Sequence, residues 1–236
     1  MKFFESSGIR VTVHDGVFYP TETSKIIIDS LSEKKRRFGR ILDLGCGCGV
    51  VGITLSKLGA FGKFCASDIS EKAVNNTRAN LKKYKLDADV RISSLYDAWK
   101  GNRFDSILCD VSGVSEEIAK ISPWFGKNID CASGKDGTEL VTKIINATPN
   151  YLTPRGILVL PVLTLSKHAK LISCLKKNFH SVKRVTSRQF YLPKEMAAHK
   201  KTIERLNRLK YIDVEEKFGL YLWRTDLYEV HNGRPS

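Results

Sequence analysis

Residues 41–59 read ILDLGCGCGVVGITLSKLG. Apolar residues run up to an acid, Asp43, and to Leu44; glycines then alternate with cysteines from Gly45 to Gly49, and an apolar, helix-compatible segment follows. The order is strand, turn, helix. Glycine lets the backbone turn sharply and come close to a ligand, while the start of a helix offers unpaired N–H groups to a carboxylate or phosphate. Such a pattern carries weight only between a strand and a helix, which is where it stands. The next apolar run, KFCASDI, also ends on an acid, Asp68, about 25 residues past Asp43. An acid at the tip of a second strand suits hydrogen bonds from ribose hydroxyls. Its competing role is to cap the helix beginning near Ser70.

Outward from this turn, short apolar runs alternate with longer amphipathic ones. RILDLG, KFCASDI, DVRISS, DSILCDV and GILVLPVL are strand candidates, and residues 50–58, 71–84, 138–151 and 167–178 are helix candidates. This alternation predicts an α/β fold, doubly wound, with a mostly parallel sheet covered on both faces. Upstream, IRVTV and VFYP flank Asp15-Gly16 and predict a hairpin closed there; a helix over 21–35 follows. Downstream, strands at 181–192 and 220–230 are joined by a basic helix near 195–211. The predicted organisation is a hairpin and helix in 1–35 packed on a core domain of 36–230, with a frayed tail at 231–236.

The length of 236 residues favours one domain, and 42% hydrophobic with 27% charged residues is ordinary for a globular chain. No apolar run reaches the roughly 20 residues needed to cross a bilayer, which excludes a membrane-spanning role. Six scattered cysteines, without a charged leader and apolar core at the start, predict a reducing, cytoplasmic setting. Cys46 and Cys48 have no partner at zinc spacing, so no metal is predicted and small residues between glycines account for them. The net charge of +14 reads either as attraction for RNA or another polyanion, or as a contribution to solubility.

The spacing Asp-Leu-Gly-Cys-Gly-Cys-Gly differs from the nicotinamide fingerprint and resembles the first motif of class I S-adenosylmethionine-dependent methyltransferases. That resemblance implies a Rossmann-like sheet of about seven strands, the last antiparallel, and S-adenosyl-L-methionine as cofactor. It also implies that Asp43, Gly45, Cys46 and Gly47 line the methionine end, Asp68 and Ile69 the nucleoside end, and Ser94 and Leu95 the adenine. VFYPTETSKIII (17–28) and GKDGTELVTKIINATPNYLTPRGILVLPV (134–162) are similar to segments of the HemK-like branch, which modifies glutamine in peptide release factors. Phe18, Pro20 and Ser24 there match positions beside the cofactor. The branch carries Asn or Asp followed by Pro-Pro-Tyr after the fourth strand, whereas this chain has Asp110, Val111, Ser112 and Gly113. The acid is kept and the stacking ring is not.

Asp110 is accordingly the catalytic candidate, next to the cofactor methyl, placed to orient the acceptor or take its proton; capping the following loop is its alternative role. The long loop 112–137 holds Ser112, Trp124 and Phe125 as candidate acceptor contacts, with the aromatic pair serving equally as a hydrophobic plug. Phe190, Tyr191 and the helix bearing Lys200, Lys201, Arg205, Arg208 and Lys210 read as a polyanion-binding flank, or as a solvated face packed by Ile203, Leu206 and Leu209. Three readings stay open: methylation of RNA, favoured by charge; methylation of a small molecule or protein; and binding of cofactor or RNA without catalysis.

Overall fold

A computed structural model describes residues 1–33, 38–60, 63–111, 113–124 and 133–232. The basic cluster at 34–37, the candidates Ser112 and Phe125, and the tail at 233–236 lie outside the described residues. The chain begins with β1 (Lys2–Ser6), β2 (Ile9–Val13) and α1 (Glu22–Ser32). The alternating core follows: β3 (Arg40–Leu44), α2 (Val50–Lys57), β4 (Lys63–Asp68), α3 (Glu71–Tyr84), β5 (Asp89–Ile92), β6 (Phe104–Cys109), α4 (Glu116–Ile121), α5 (Glu139–Ala147) and β7 (Leu152–Leu163). The last part runs α6 (His168–Asn178), β8 (Ser181–Tyr191), α7 (Lys194–Ala197), α8 (Lys200–Arg208), β9 (Glu215–Lys217) and β10 (Leu220–His231).

The main sheet has the order β5-β4-β3-β6-β7-β10-β8, with β9 added to the start of β10. Strands β3 to β7 are parallel, and β10 runs antiparallel to both β7 and β8. The predicted architecture is the observed one. Side-chain alternation explains how both faces are covered. Ile41, Leu108 and Val159 face one layer with Ile27 of α1, Ile53 of α2 and Val74 of α3. Leu42, Ile107, Cys109 and Leu158 face the other, with Ile144 of α5 and Leu171 of α6. A third cluster, Val114, Leu163, Met196, Ile203, Leu206 and Trp223, closes the sheet end beneath α4, α7 and α8. Chain order reverses between β3 and β6, and in open α/β sheets ligands bind outside the carboxyl ends of the strands at such a point.

Three expectations are corrected. The hairpin closes on Ser7-Gly8, not Asp15-Gly16: both residues have positive φ, 49° and 74°, as a two-residue type I′ turn requires. VFYP is free of strand pairing because α3 already serves β2: Asn80 Oδ1 accepts from Thr12 N, and Asn76 Oδ1 accepts from His14 N. The late basic helix is two helices, since His199 leaves helical geometry at φ −88° and ψ 44°. Of its predicted packing residues Ile203 and Leu206 are buried, but Leu209 is 47% exposed. His231 belongs to β10, paired with Ile157 and Ser181, rather than to a tail.

Gly52 shows how closely α2 approaches the sheet. A Cβ there would collide with the Phe64 ring and lie 2.9 Å from Asp43 Oδ2. Gly52→Ala should therefore destabilise the fold by about 1–3 kcal/mol through overpacking, against the gain of up to ~1 kcal/mol that alanine brings to an open helix. Urea denaturation measures the difference, and an unchanged or raised midpoint would contradict this account.

Candidate active site

Three acids stand at the carboxyl edge of the sheet beside the reversal point. Asp43, in β3, is buried, and its Oδ2 accepts from Gly52 N at 3.1 Å. Burial pushes its pKa up to about 7, the Gly52 N–H opposes this, and the neighbouring Asp110 and Asp68 raise it further. Asp68, which ends β4, accepts from Gly47 N at Oδ2 and from Ser70 N at Oδ1, both at 2.9 Å. Burial raises its pKa while these backbone donors lower it. The cap of α3 is Ser70, whose Oγ accepts from Ala73 N. Asp68 thus holds the glycine turn against the start of α3 and still has lone pairs to offer.

The turn itself is pinned from below. Gly45 N and Cys46 N both donate to Ser67 O, at 2.8 and 3.0 Å, and Thr77 Oγ1 donates to Gly47 O at 2.9 Å. Gly45, Gly47 and Gly49 all have positive φ, and a Cβ on Gly45 would collide with Val111 Cγ2. Val111 therefore lies against the turn, a contact that has no signature in the sequence. Burial pushes the Cys46 thiol up and the Cys48 thiol to about 12, so both are packing groups at neutral pH.

Asp110 follows β6 directly. Ser24 Oγ of α1 donates to its Oδ2 at 2.5 Å, while Oδ1 is buried and has no hydrogen-bond partner among the described residues. Burial raises the Asp110 pKa to about 6 against the lowering effect of the Ser24 and Thr23 hydroxyls. Beyond it the chain is locked in place: a Cβ on Gly113 would collide with Gly137 O, and Ser115 N donates to Leu165 O at 3.1 Å. Capping of α4 falls to Ser115, whose Oγ accepts from Ile118 N, not to Asp110.

An apolar cavity of about 400 Å³, of a size that takes a small planar group, is lined by Thr23, the neighbour of the Ser24 that bonds Asp110, and by Val114. Its aromatic walls are Phe18, Trp124, Phe190, Tyr191 and Trp223. Trp223 links the wall, with ring centroids 5.4 Å from Trp124 and 5.1 Å from Phe190. Thr23 belongs to both parts, lining the cavity and, with Ser24, opposing the upward shift of the Asp110 pKa.

The structure thus gathers Asp43, Gly45, Cys46, Gly47, Asp68 and Asp110, with the 73% exposed Ile69 beside them. Ser24 serves Asp110, Phe18 and Trp124 line the cavity, and Pro20 is buried in the segment entering α1. Ser94 is exposed in the turn after β5; the neighbour that ties this turn to the site is Ser93, whose N–H donates to Asp68 O at 2.9 Å. Leu95 has φ 48° and packs partly against the second core layer. Thr23, Val111 and Trp223 are not among the sequence-based candidates; for Trp223 the signal was an aromatic at the start of a strand entering the sheet from its ligand-binding end.

The family model described as methyltransferase small domain matches residues 8–110. A putative protein N5-glutamine methyltransferase of Methanocaldococcus jannaschii is 30% identical over 173 residues, covering 73% of this chain and 85% of the relative. A release factor glutamine methyltransferase of Borreliella burgdorferi is 28% identical over 188 residues, covering 77% of this chain and 65% of that relative. Among solved structures, a T. thermophilus 16S rRNA N2 methyltransferase in complex with AdoMet and guanosine superposes with a TM-score of 0.62 at 17% identity, covering 99% of this chain and 50% of that one.

The raised pKa of Asp43 has a measurable consequence. The folded state holds its proton more tightly than the unfolded state, whose carboxyl titrates near 4, so stability falls as pH rises from about 4 through 7. Asp43→Asn keeps an acceptor for Gly52 N–H without the charge. Relative to wild type, the variant should gain on the order of 2 kcal/mol between pH 4.5 and 7.5 in urea titrations; a pH-independent difference would show that Asp43 titrates normally.

Proposed function

Since the chain belongs to the S-adenosylmethionine-dependent methyltransferases, we propose that it methylates the NH2 nitrogen of a planar group, and that this group is a base of RNA. The observation that carries the reading is a buried carboxylate oxygen, Asp110 Oδ1, without a hydrogen-bond partner among the described residues, together with an aromatic-walled cavity whose lining includes Thr23, the neighbour of the Ser24 that bonds Asp110. The relatives are named for glutamine, and the structural neighbour for an rRNA N2 position. Both nitrogens are NH2 groups on an sp² carbon. Between the two, a ring-walled cavity and a +14 charge favour a base over a flexible amide side chain.

The residues at the strand ends fit the cofactor. An acidic edge suits its ammonium and sulfonium charges, and Asp68, which keeps lone pairs beyond its bonds to Gly47 N and Ser70 N, suits its ribose hydroxyls. The positive-φ backbone of Gly47, with nothing within 4 Å of where a side chain would stand, leaves room for its amino-acid end, and Ile69, Ser94 and Leu95 are the residues proposed to contact the nucleoside. When bound, S-adenosylmethionine supplies a methyl group on a sulfonium, with the electron pair of the broken bond left on sulfur.

The protein's part is positioning and proton handling. Asp110 Oδ1 accepts one N–H of the acceptor, which turns the nitrogen lone pair toward the methyl. With a pKa of about 6, Asp110 is ionised at pH 7.5 and can take the proton that the nitrogen sheds. Ser24 keeps Oδ2 engaged, so that the carboxylate presents its other oxygen. The rings of Phe18 and Trp124 take over the stacking that the absent Pro-Pro-Tyr would have given. A glutamine side chain in a protein is the second reading, favoured by the 30% identical archaeal relative.

The test is transfer of labelled methyl to total RNA and to total protein. Asp110→Ala should lower the transfer rate about 100-fold or more with cofactor affinity, measured by calorimetry, little changed. Asp110→Asn, which can accept the hydrogen bond but not the proton, should retain more activity and lose the rise in rate near pH 6. Label confined to protein would replace RNA with glutamine, and unchanged turnover in Asp110→Ala would remove Asp110 from the reaction.

A further inference from the structure

The hairpin β9–β10 turns on Phe218-Gly219, with φ of 51° and 76°. This is the type I′ geometry, for which Asn-Gly is the favoured pair and in which a bulky residue at the first position is strained. Phe218 is nonetheless there, and it is fully exposed. Its ring adds nothing to the core, and asparagine would make the better turn. The position therefore answers to something outside the fold.

Topology places this ring beside the candidate site. Because β10 is antiparallel to β7, its first residues project past the carboxyl ends of the parallel strands. Leu222 pairs with Tyr191 on one side and Glu215 on the other, so Phe218 stands four residues, roughly 13 Å, beyond the Tyr191 level. Tyr191 lines the aromatic cavity and is 65% exposed. Two solvent-exposed rings, Tyr191 and Phe218, thus stand at the end of the sheet where Trp223 and Phe190 wall the cavity.

Charge flanks the same end. Residues 192–220, which follow β8 at this end, hold seven lysines and arginines against five acids. Some are neutralised: Lys200 stands by Glu204 and Glu216, Lys217 by Glu215, and Arg205 pairs with Glu117. Lys194, which lines the cavity mouth, and Lys201, Arg208 and Lys210 form no ion pair among the described residues. Exposed rings and unpaired cations at one end of the sheet are what a single-stranded nucleic acid needs: stacking for bases and charge for phosphates.

We propose that the β9–β10 hairpin is a docking arm for single-stranded RNA, with Phe218 and Tyr191 stacking bases that neighbour the one held in the cavity. The inference rests on the RNA reading above and extends it to a surface outside the reaction site. Phe218→Asn tests it without risk to the fold, since the change should leave thermal stability equal or higher.

The experiment is fluorescence anisotropy of a labelled twelve-nucleotide single-stranded RNA of mixed sequence, titrated with the full chain at 50 and 200 mM salt. Wild type should bind, more weakly at higher salt. Phe218→Asn and Tyr191→Ala should each weaken binding roughly tenfold, with cofactor affinity by calorimetry unchanged. Equal RNA affinity in Phe218→Asn and wild type would overturn the arm, as would a wild type that binds no RNA at 50 mM salt. Cofactor titration of the same samples reports separately on the methyltransferase reading, so either can fail alone.

Discussion

A carboxylate taken out of water must be given hydrogen-bond donors or give up its charge. Three such groups at one sheet edge set the terms for everything around them. Asp43 draws on the N–H of Gly52, which needs α2 close to the sheet and hence a residue without a side chain. Asp68 draws on Gly47 and Ser70, which shapes the glycine turn and fixes the start of α3. Asp110 lies beyond the reach of helix N–H groups and is served by the hydroxyl of Ser24. That is why α1 and the segment before it belong to the site as much as the parallel strands do. Among the described residues supply stops one oxygen short, at the buried Asp110 Oδ1.

Much of this could be read from residues in line. A buried strand, an acid and alternating glycines define the turn because each imposes a local backbone requirement. Strand and helix periods then give a doubly wound sheet with few errors of boundary. What escaped reading depends on contacts between distant segments. Val111 against Gly45, Asn76 and Asn80 serving the edge of β2, and Trp223 joining Trp124 to Phe190 are pairings of side chains from different elements. The misplaced hairpin turn has the same origin. Asp15-Gly16 is the stronger local signal, yet the amides of α3 occupy the edge that a second strand would have used.

The sheet divides into two working halves. From β5 to β6 it carries the turn and the acids, in the part that the family model matches. From β7 to β8 it carries the aromatic cavity and most of the late basic residues. The first half resembles its relatives where a shared cofactor demands it. The second builds its ring wall from late strands and the loop after α4. No helix among the described residues is long and apolar enough to cross a membrane.

The place of β10 governs the order in which these halves can be assembled. Strand β3 finds both neighbours, β4 and β6, within residues 40–109, so the turn has its sheet partners early in the chain. Strands β7 and β8, although close in sequence, do not touch; each waits for residues 220–231 to come between them. Loop closure across that distance is slow compared with local pairing. During synthesis β7 therefore stands as an open edge while the half with the glycine turn has all its strands, and the half with the aromatic cavity is completed last, by the strand that also carries the exposed Phe218-Gly219 turn.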